Sequence, residues 1–397
     1  MEIEDIVKDP VFLKLDLMIK GIKLPVFLQK RLNGESDFSA IEGIEIELRK
    51  GIKVKAPYND RIAINSPYTL DSDMRAILAG GYSIPIRVME PIRLTGKKTS
   101  SGMAMSSIAH LYDKYLAITP SLACGYFGER LGCIFCPSYG TARDGADVAG
   151  TDDVLETIRT VYRIQKPSAI LLSIGAMKAE DAGMGFAEKY LRAIHKHFNV
   201  MTILEISPPR DTGWIETAYG AGADAICFNI DIFDEKLFAE LCPGKAEDNG
   251  RHLYMRALSH ASGFFPMGTV MTHLIVGIEP LESTIEGIEY LASNGIVPIL
   301  SVFRPVNTSM MKYYTPLSVE ELLPVYKAVH CSLRRHSIPA VWTKYMGFAI
   351  TPAEARLFAC RSRIKRRLNV MVENSGLIDT AKAGMLRMRR SLRVREV

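Results

Sequence analysis

The sequence predicts an α/β protein: a full or partial (β/α) barrel of TIM type, with an N-terminal β-containing extension and C-terminal helices. Three observations predict it. From about residue 116, apolar runs of strand length alternate with amphipathic helical stretches, the pattern of successive βα units around a parallel sheet. At least six such units follow one another. The 397 residues also leave room beyond the roughly 250 that such a barrel needs. A doubly wound open sheet is the second reading of the same pattern.

Taken in order, residues 1–115 form a β-containing module, in which "IEIELRKGIKVKAP" alternates as a strand pair around a Lys50-Gly51 turn. Residues 116–350 form the barrel. "YLAITPSLAC" is its first strand and leads into a cysteine-rich turn. "TDDVLETIRTVYRIQ" is a helix, with Thr151 as cap, acids in the first turn and apolar residues at Val154, Ile158, Val161 and Tyr162. Strands "SAILLSIG", "VMTILEIS", "DAICFNI", "TVMTHLIVG" and "VPILSVF" alternate with helices "GMGFAEKYLRAIHKHF", "GWIETAYGAG", "DEKLFAEL", "STIEGIEYLASNG" and "SVEELLPVYKAVHCSLRR". Residues 245–265 read as an insert, and "AVWTKYMG" as a last strand. Residues 351–397 form a helical basic segment that opens with "PAEARLFACRSRIKRRL".

Composition narrows the function classes. With 48% hydrophobic and 23% charged residues, the chain can build a sizeable core. No apolar run reaches the roughly 18 residues of a membrane span, and "MEIEDIVKDP" carries acids where a secretion signal would be apolar. Seven cysteines do not suggest a disulfide framework, so a cytoplasmic location is expected. From Arg361 onward, eleven Lys/Arg stand against three Asp/Glu, a net of +8 in a chain whose total is +5. No aromatic residues interleave the arginines of "GMLRMRRSLRVREV", which argues against stacking on bases. Nucleic acid is therefore not expected as a partner.

The informative stretch is "CGYFGERLGCIFC". Cys124, Cys133 and Cys136 are spaced C-x8-C-x2-C, and Gly125, Gly128 and Gly132 allow the loop to fold back. A structural zinc takes four protein ligands, so zinc would need a remote fourth group such as His110. A four-iron cluster held by three thiolates keeps one iron open. In a barrel, the loop after the first strand lies on the face where active sites gather.

Here the sequence resembles the radical SAM superfamily, over roughly residues 116 to 350, and within it the branch of biotin and lipoyl synthases. The resemblance implies a [4Fe–4S] cluster on Cys124, Cys133 and Cys136, whose open iron binds S-adenosylmethionine (SAM), with Phe135 packing against the adenine. In "CFNIDIFDEKLFAELCPGK", Asn229 and Asp231 match the polar positions that contact the SAM ribose and methionyl portions. On a strand, Cys227, Asn229 and Asp231 alternate onto one face, so Cys227 is expected on the substrate side. In "LIVGIEPLEST", Ile275 and Gly277 match the positions that approach the adenine, with Glu279 one residue off the motif's acid. The loop is five residues longer than the commonest family spacing. The Gly-Gly-Glu motif is replaced by "SIGAMK", in which Gly175 keeps the close backbone approach and no acid follows. Backbone carbonyls, Ser173 or Glu205 are expected to receive the SAM amino group instead.

Arg304, at the end of the sixth strand, is expected to bind a carboxylate of SAM or substrate. His273 and Lys344 are further candidates at the mouth. The remaining cysteines, Cys227, Cys242, Cys331 and Cys360, have no tight spacing that would suggest a second cluster. The resemblance implies an enzyme of lyase or transferase type that cleaves SAM reductively and abstracts hydrogen from a small-molecule substrate in cofactor or natural-product biosynthesis. Its expected electron donor is a ferredoxin or flavodoxin. The rivals are a zinc-stabilised barrel that serves as a binding or adaptor protein, and an RNA-modifying or sulfur-inserting radical enzyme.

Overall fold

A computed structural model describes residues 1–28, 43–89, 94–127, 129–136, 147–305, 309–346 and 349–359. Two helices, α1 (Ile3–Lys8) and α2 (Pro10–Lys20), open the chain. The Asp9 carboxylate caps α2 through the Val11 N–H at 3.1 Å, and Pro10 occupies the first helical position. The expected strand pair is β1 (Gly43–Leu48) and β2 (Ile52–Pro57), antiparallel, with Ile46 opposite Val54. Lys50 and Gly51 make the turn with φ of 67° and 71°. Helix α3 (Arg61–Ile64) follows, capped by Asp60. Strands β3 (Thr69–Leu70), β4 (Ala76–Ala79) and β5 (Tyr82–Pro85) form a second small sheet. Strand β6 (Arg87–Val88) returns to pair with β1.

After α4 (Met105–Ile108), the main sheet begins with β7 (Ala109–Tyr112), antiparallel to β8 (Tyr115–Ile118). Strand β7 lies before residue 116, so the sheet starts earlier than the expected domain boundary. The parallel strands β8, β9 (Ala169–Ser173), β10 (Met201–Glu205), β11 (Ala225–Cys227), β12 (Val270–Val276) and β13 (Val297–Val302) then add in chain order. Sequential addition of parallel strands is the barrel order, without the reversal of a doubly wound sheet. With the antiparallel β7 and the parallel β13 as its two edges, the seven-stranded sheet forms a curled partial (β/α) barrel.

Helices α5 (Thr151–Ile164), α6 (Met184–His197), α7 (Gly213–Gly220), α8 (Glu235–Leu241), α9 (Pro243–Asp248), α10 (Gly250–Phe264), α11 (Leu281–Ser293), α12 (Val319–Arg335) and α13 (Pro352–Ala359) accompany the sheet. Helix α5 buries Val154, Leu155, Ile158 and Val161, each worth roughly 1.5–3 kcal/mol of transfer out of water. Helix α12 begins with a reciprocal cap between Ser318 and Glu321.

Three expectations need correction. The cap of α5 is Gly150, whose N–H donates to Asp153 at 3.0 Å; Thr151 is already helical. Residues 245–265 are helical, in α9 and α10, except Asn249 and Phe265. "AVWTKYMG" is not a strand. Val341–Tyr345 is a 3₁₀ turn, because Thr343 turns its backbone N–H and its hydroxyl back to the Ala340 carbonyl, and Trp342 Nε1 donates to the Gly268 carbonyl at 2.8 Å. Cys360 and the basic tail lie outside the described residues, as does Gly128 of the cysteine loop. No helix among the described residues is long and apolar enough to cross a membrane.

Candidate active site at the ends of the parallel strands

The cysteine turn leaves β8 and docks against the end of β9. The Gly125 N–H donates to the Ala176 carbonyl at 2.8 Å. Gly175 makes that approach feasible, since a Cβ there would lie 2.1 Å from the Ala123 carbonyl oxygen. The far side of the loop is tied to the α8–α9 junction. The Ile134 N–H donates to the Leu241 carbonyl at 3.0 Å, and the Gly244 N–H to the Leu131 carbonyl at 2.9 Å. Gly244 is as constrained as Gly175: a Cβ would lie 2.5 Å from the Tyr126 ring. Cys124, Cys133, Phe135 and Cys136 are all half-buried.

This docking brings two residues that the motif does not include up to the loop. Cys242 is fully buried and donates a hydrogen bond to the Cys133 sulfur. That bond, helped by the Lys245 charge, lowers the Cys133 pKa against the opposing effect of burial. The same bond and its own burial hold Cys242 well above the ordinary thiol range. Cys124, with burial dominant, is raised.

Lys245 enters from α9. Its ammonium pairs with Asp231 and donates to the Asn229 carbonyl at 2.8 Å, and it lies 5.4 Å from the centre of the Tyr254 ring. Burial opposes its charge; Asp231, Tyr254, Cys133 and Cys242 outweigh that and raise its pKa well above the lysine norm. Asp231 has φ 64°, an uncommon conformation for a residue with a side chain. It is held there by a bridge to β12, with its N–H on the His273 carbonyl at 2.9 Å and the Ile275 N–H on its own carbonyl at 2.8 Å.

Further into the sheet, Ser173, Glu205 and Cys227 end β9, β10 and β11 in register. Glu205 accepts from the Ser173 hydroxyl at 2.7 Å on one oxygen and from Asn229 Nδ2 at 3.1 Å on the other. The Cys227 thiol donates to Asn229 Oδ1 at 2.9 Å, and the His273 N–H donates to the same oxygen at 3.2 Å. Burial, then Glu205 and Asp231, push the Cys227 thiol well above its usual range. His273 Nδ1 lies 2.9 Å from Ser301 Oγ.

The structure therefore brings together Cys227, Asn229 and Asp231 as the alternation predicts, although the strand itself ends at Cys227. Gly175 sits at the loop's closest approach, and Ile275 adjoins Asp231. Gly277 has φ 106° and packs against Leu317, whose side chain a Cβ at that position would meet at 3.2 Å. Two candidates are engaged by partners within the protein. Glu279 accepts from the Phe233 and Asp234 N–H groups and from Ser283 and Thr284, so it braces the β11–α8 connection. Arg304 is engaged by the protein itself: Nε and Nη2 donate to the two oxygens of Asp60 at 2.9 and 2.7 Å. Sequence reasoning missed Lys245 and the contact of Cys242 with Cys133. The one available signal was that both stand in "LCPGK", directly after the Asn229 and Asp231 stretch.

No protein-family model matches the chain. A bacteriochlorophyllide c C-7(1)-hydroxylase from Chlorobaculum limnaeum is 26% identical over 123 residues, 31% of this chain and 31% of that protein. The match thus spans about a third of that relative's length. Among solved structures, methylornithine synthase aligns with a TM-score of 0.46 and 14% identity, over 65% of this chain and 69% of that one. HydG, a maturase of the [FeFe]-hydrogenase, aligns at 0.46 and 10% identity, over 65% and 54%. OxsB, a cobalamin-dependent S-adenosylmethionine radical enzyme, aligns at 0.36 and 14% identity, over 76% and 41%.

Proposed function

We infer that the chain is a radical SAM enzyme, and propose that Cys124, Cys133 and Cys136 hold a [4Fe–4S] cluster that binds S-adenosylmethionine. The observation that carries the reading is the seating of the three-cysteine loop at the C-terminal ends of β8 and β9, beside the Asp231–Lys245 pair. The donor set fits such a group. It offers three thiols on one loop, one with a lowered pKa, next to a buried ammonium that offsets thiolate charge. A single zinc ion would draw its sulfurs to within roughly 3.8 Å of one another, from Zn–S bonds of about 2.3 Å. Among the described residues, the three loop cysteines form no group whose ligand atoms all approach within 4.8 Å.

When bound, the cluster and SAM supply an electron and a 5′-deoxyadenosyl group that takes a hydrogen atom from an unactivated carbon of a small-molecule substrate. The chain's own residues bind, orient and shield. Asp231 and Lys245 present opposite charges side by side, the complement of an α-amino-acid zwitterion: the carboxylate would receive the methionyl ammonium, and the Lys245 ammonium the methionyl carboxylate. This gives Lys245 the carboxylate-binding role expected of Arg304. Asn229 keeps a second amide hydrogen for a ribose hydroxyl. Phe135, Ile275 and Gly277 supply the apolar walls for the adenine. Glu205, expected to receive the SAM amino group, is instead held by Ser173 and Asn229.

A small-molecule substrate, a ferredoxin- or flavodoxin-type donor and a reducing cytoplasm are the setting this chemistry calls for. The hydroxylase relative, which by its name replaces a hydrogen with a hydroxyl group, is consistent with functionalising such a carbon. Replacing Asn229 with Ala should leave iron and sulfide content unchanged and weaken SAM binding about tenfold, the worth of a hydrogen bond of roughly 1.4 kcal/mol; wild-type affinity by equilibrium dialysis would refute the ribose assignment.

The rival reading, a structural zinc, is favoured by one observation: Cys242 touches Cys133 and could serve as a fourth thiolate. Cys242→Ser separates the two. The cluster reading expects about four irons and four sulfides per chain to survive the change, whereas the zinc reading expects the metal to be lost.

A further inference from the structure

We propose that Glu205, Cys227 and His273 form a second metal site, a mononuclear centre for a divalent cation of zinc type, separate from the cysteine loop. One ligand atom from each of the three residues lies within 4.8 Å of the others. They come from three adjacent strands, β10, β11 and β12, so rigid elements rather than loops set their spacing. Bonds of about 2.0–2.3 Å to a tetrahedral zinc place ligand atoms roughly 3.2–3.8 Å apart. A contraction of about 1 Å by side-chain rotation closes the site.

The donors match in charge and in kind. A thiolate, a carboxylate and a neutral imidazole neutralise one divalent cation, which suits a site with Cys227 fully buried. The mixed sulfur, nitrogen and oxygen set suits zinc rather than magnesium or calcium. Three protein ligands leave a fourth position for water or for a heteroatom of a substrate in the barrel.

The surroundings already hold each ligand in place. Ser173 and Asn229 orient the Glu205 carboxylate. Ser301 fixes one nitrogen of His273, Nδ1, and leaves Nε2 for the metal. On binding, the Cys227 proton passes to solvent and its sulfur bonds to the metal. Asn229 stays satisfied, because Oδ1 still accepts from the His273 N–H and Nδ2 still donates to Glu205. The site stands independently of the cluster reading, and the test keeps the two apart.

The optical test uses full-length protein carrying Cys124→Ala, Cys133→Ala and Cys136→Ala together, titrated anaerobically with cobalt(II). We expect one equivalent per chain and the intense thiolate-to-cobalt charge-transfer absorption. Adding Cys227→Ser should abolish the band. Glu205→Gln, which retains the hydrogen bonds of Ser173 and Asn229, should weaken binding more than tenfold, and Ser301→Ala should weaken it about tenfold through the His273 ring. In cluster-loaded protein with the loop intact, zinc analysis after gel filtration should find one zinc per chain, which Cys227→Ser removes without loss of iron. Circular dichroism confirms that each variant is folded. No stoichiometric cobalt in the loop-cysteine variant, or a band that persists with Cys227→Ser, overturns the proposal.

Discussion

Cys133→Ala should abolish the iron–sulfur chromophore and the release of 5′-deoxyadenosine together. The surroundings depress the Cys133 pKa, through the Cys242 hydrogen bond and the Lys245 charge, whereas burial raises that of Cys124. Cys133 is therefore a ready thiolate donor. Its backbone neighbourhood is held independently: the Ile134 N–H bonds to the Leu241 carbonyl, and the Ser309 hydroxyl to the Ile134 carbonyl at 3.0 Å. Truncation to Ala thus removes a ligand without releasing the loop, and near-wild-type thermal unfolding should accompany the loss of colour. On the proposed reading, two remaining loop thiolates should give a cluster no stable seat, and SAM cleavage should fall to background. Iron and sulfide analysis after anaerobic reconstitution, with deoxyadenosine quantified by chromatography, checks both outcomes. A brown variant that still releases deoxyadenosine would refute the assignment of the loop.

The same residues show why part of the candidate site is legible in the sequence. Three thiols within thirteen residues, with glycines between, are chemically specific wherever the loop lies. The alternation at Cys227, Asn229 and Asp231 is a local property of extended backbone, and it survives past the end of β11 because bonds to β12 hold Asp231 in line. The strand and helix rhythm is legible for the same reason, since each βα unit has its own period. Lys245 is of another kind. Nothing local distinguishes it from a solvated lysine on a short helix; its place beside Asp231 comes from α9 docking against the cysteine loop, where Gly244 admits Tyr126. The 3₁₀ turn at Val341–Tyr345 reads as a strand because "AVWTKYMG" is rich in β-branched and aromatic residues, while the hydrogen bonds that curl it close onto Ala340 and Gly268.

Arg304→Met should destabilise the protein by about 3–5 kcal/mol, the usual consequence of leaving one partner of a buried ion pair uncompensated. The guanidinium side chain is 2% exposed and that of Asp60 is 10% exposed. The bond is bidentate, and Nη1 also reaches the Met18 carbonyl at 3.4 Å. Asp60 is committed twice, because the same carboxylate oxygen that receives Nη2 caps α3 through the Ile62 and Ala63 N–H groups at 2.9 and 2.8 Å. The pair therefore fastens the N-terminal module, α2 and α3 included, to the end of β13, a contact 244 residues long that no local pattern could reveal. Denaturant unfolding of Arg304→Met, Asp60→Leu and the double variant separates a structural tie from a ligand-binding arginine. As a tie, each single change costs several kcal/mol, and the double change costs less than their sum because no charge is left buried alone. Were Arg304 instead a binder of SAM or substrate, Arg304→Met would unfold near the wild-type denaturant concentration and lose affinity for the ligand, and Asp60→Leu would leave that affinity untouched.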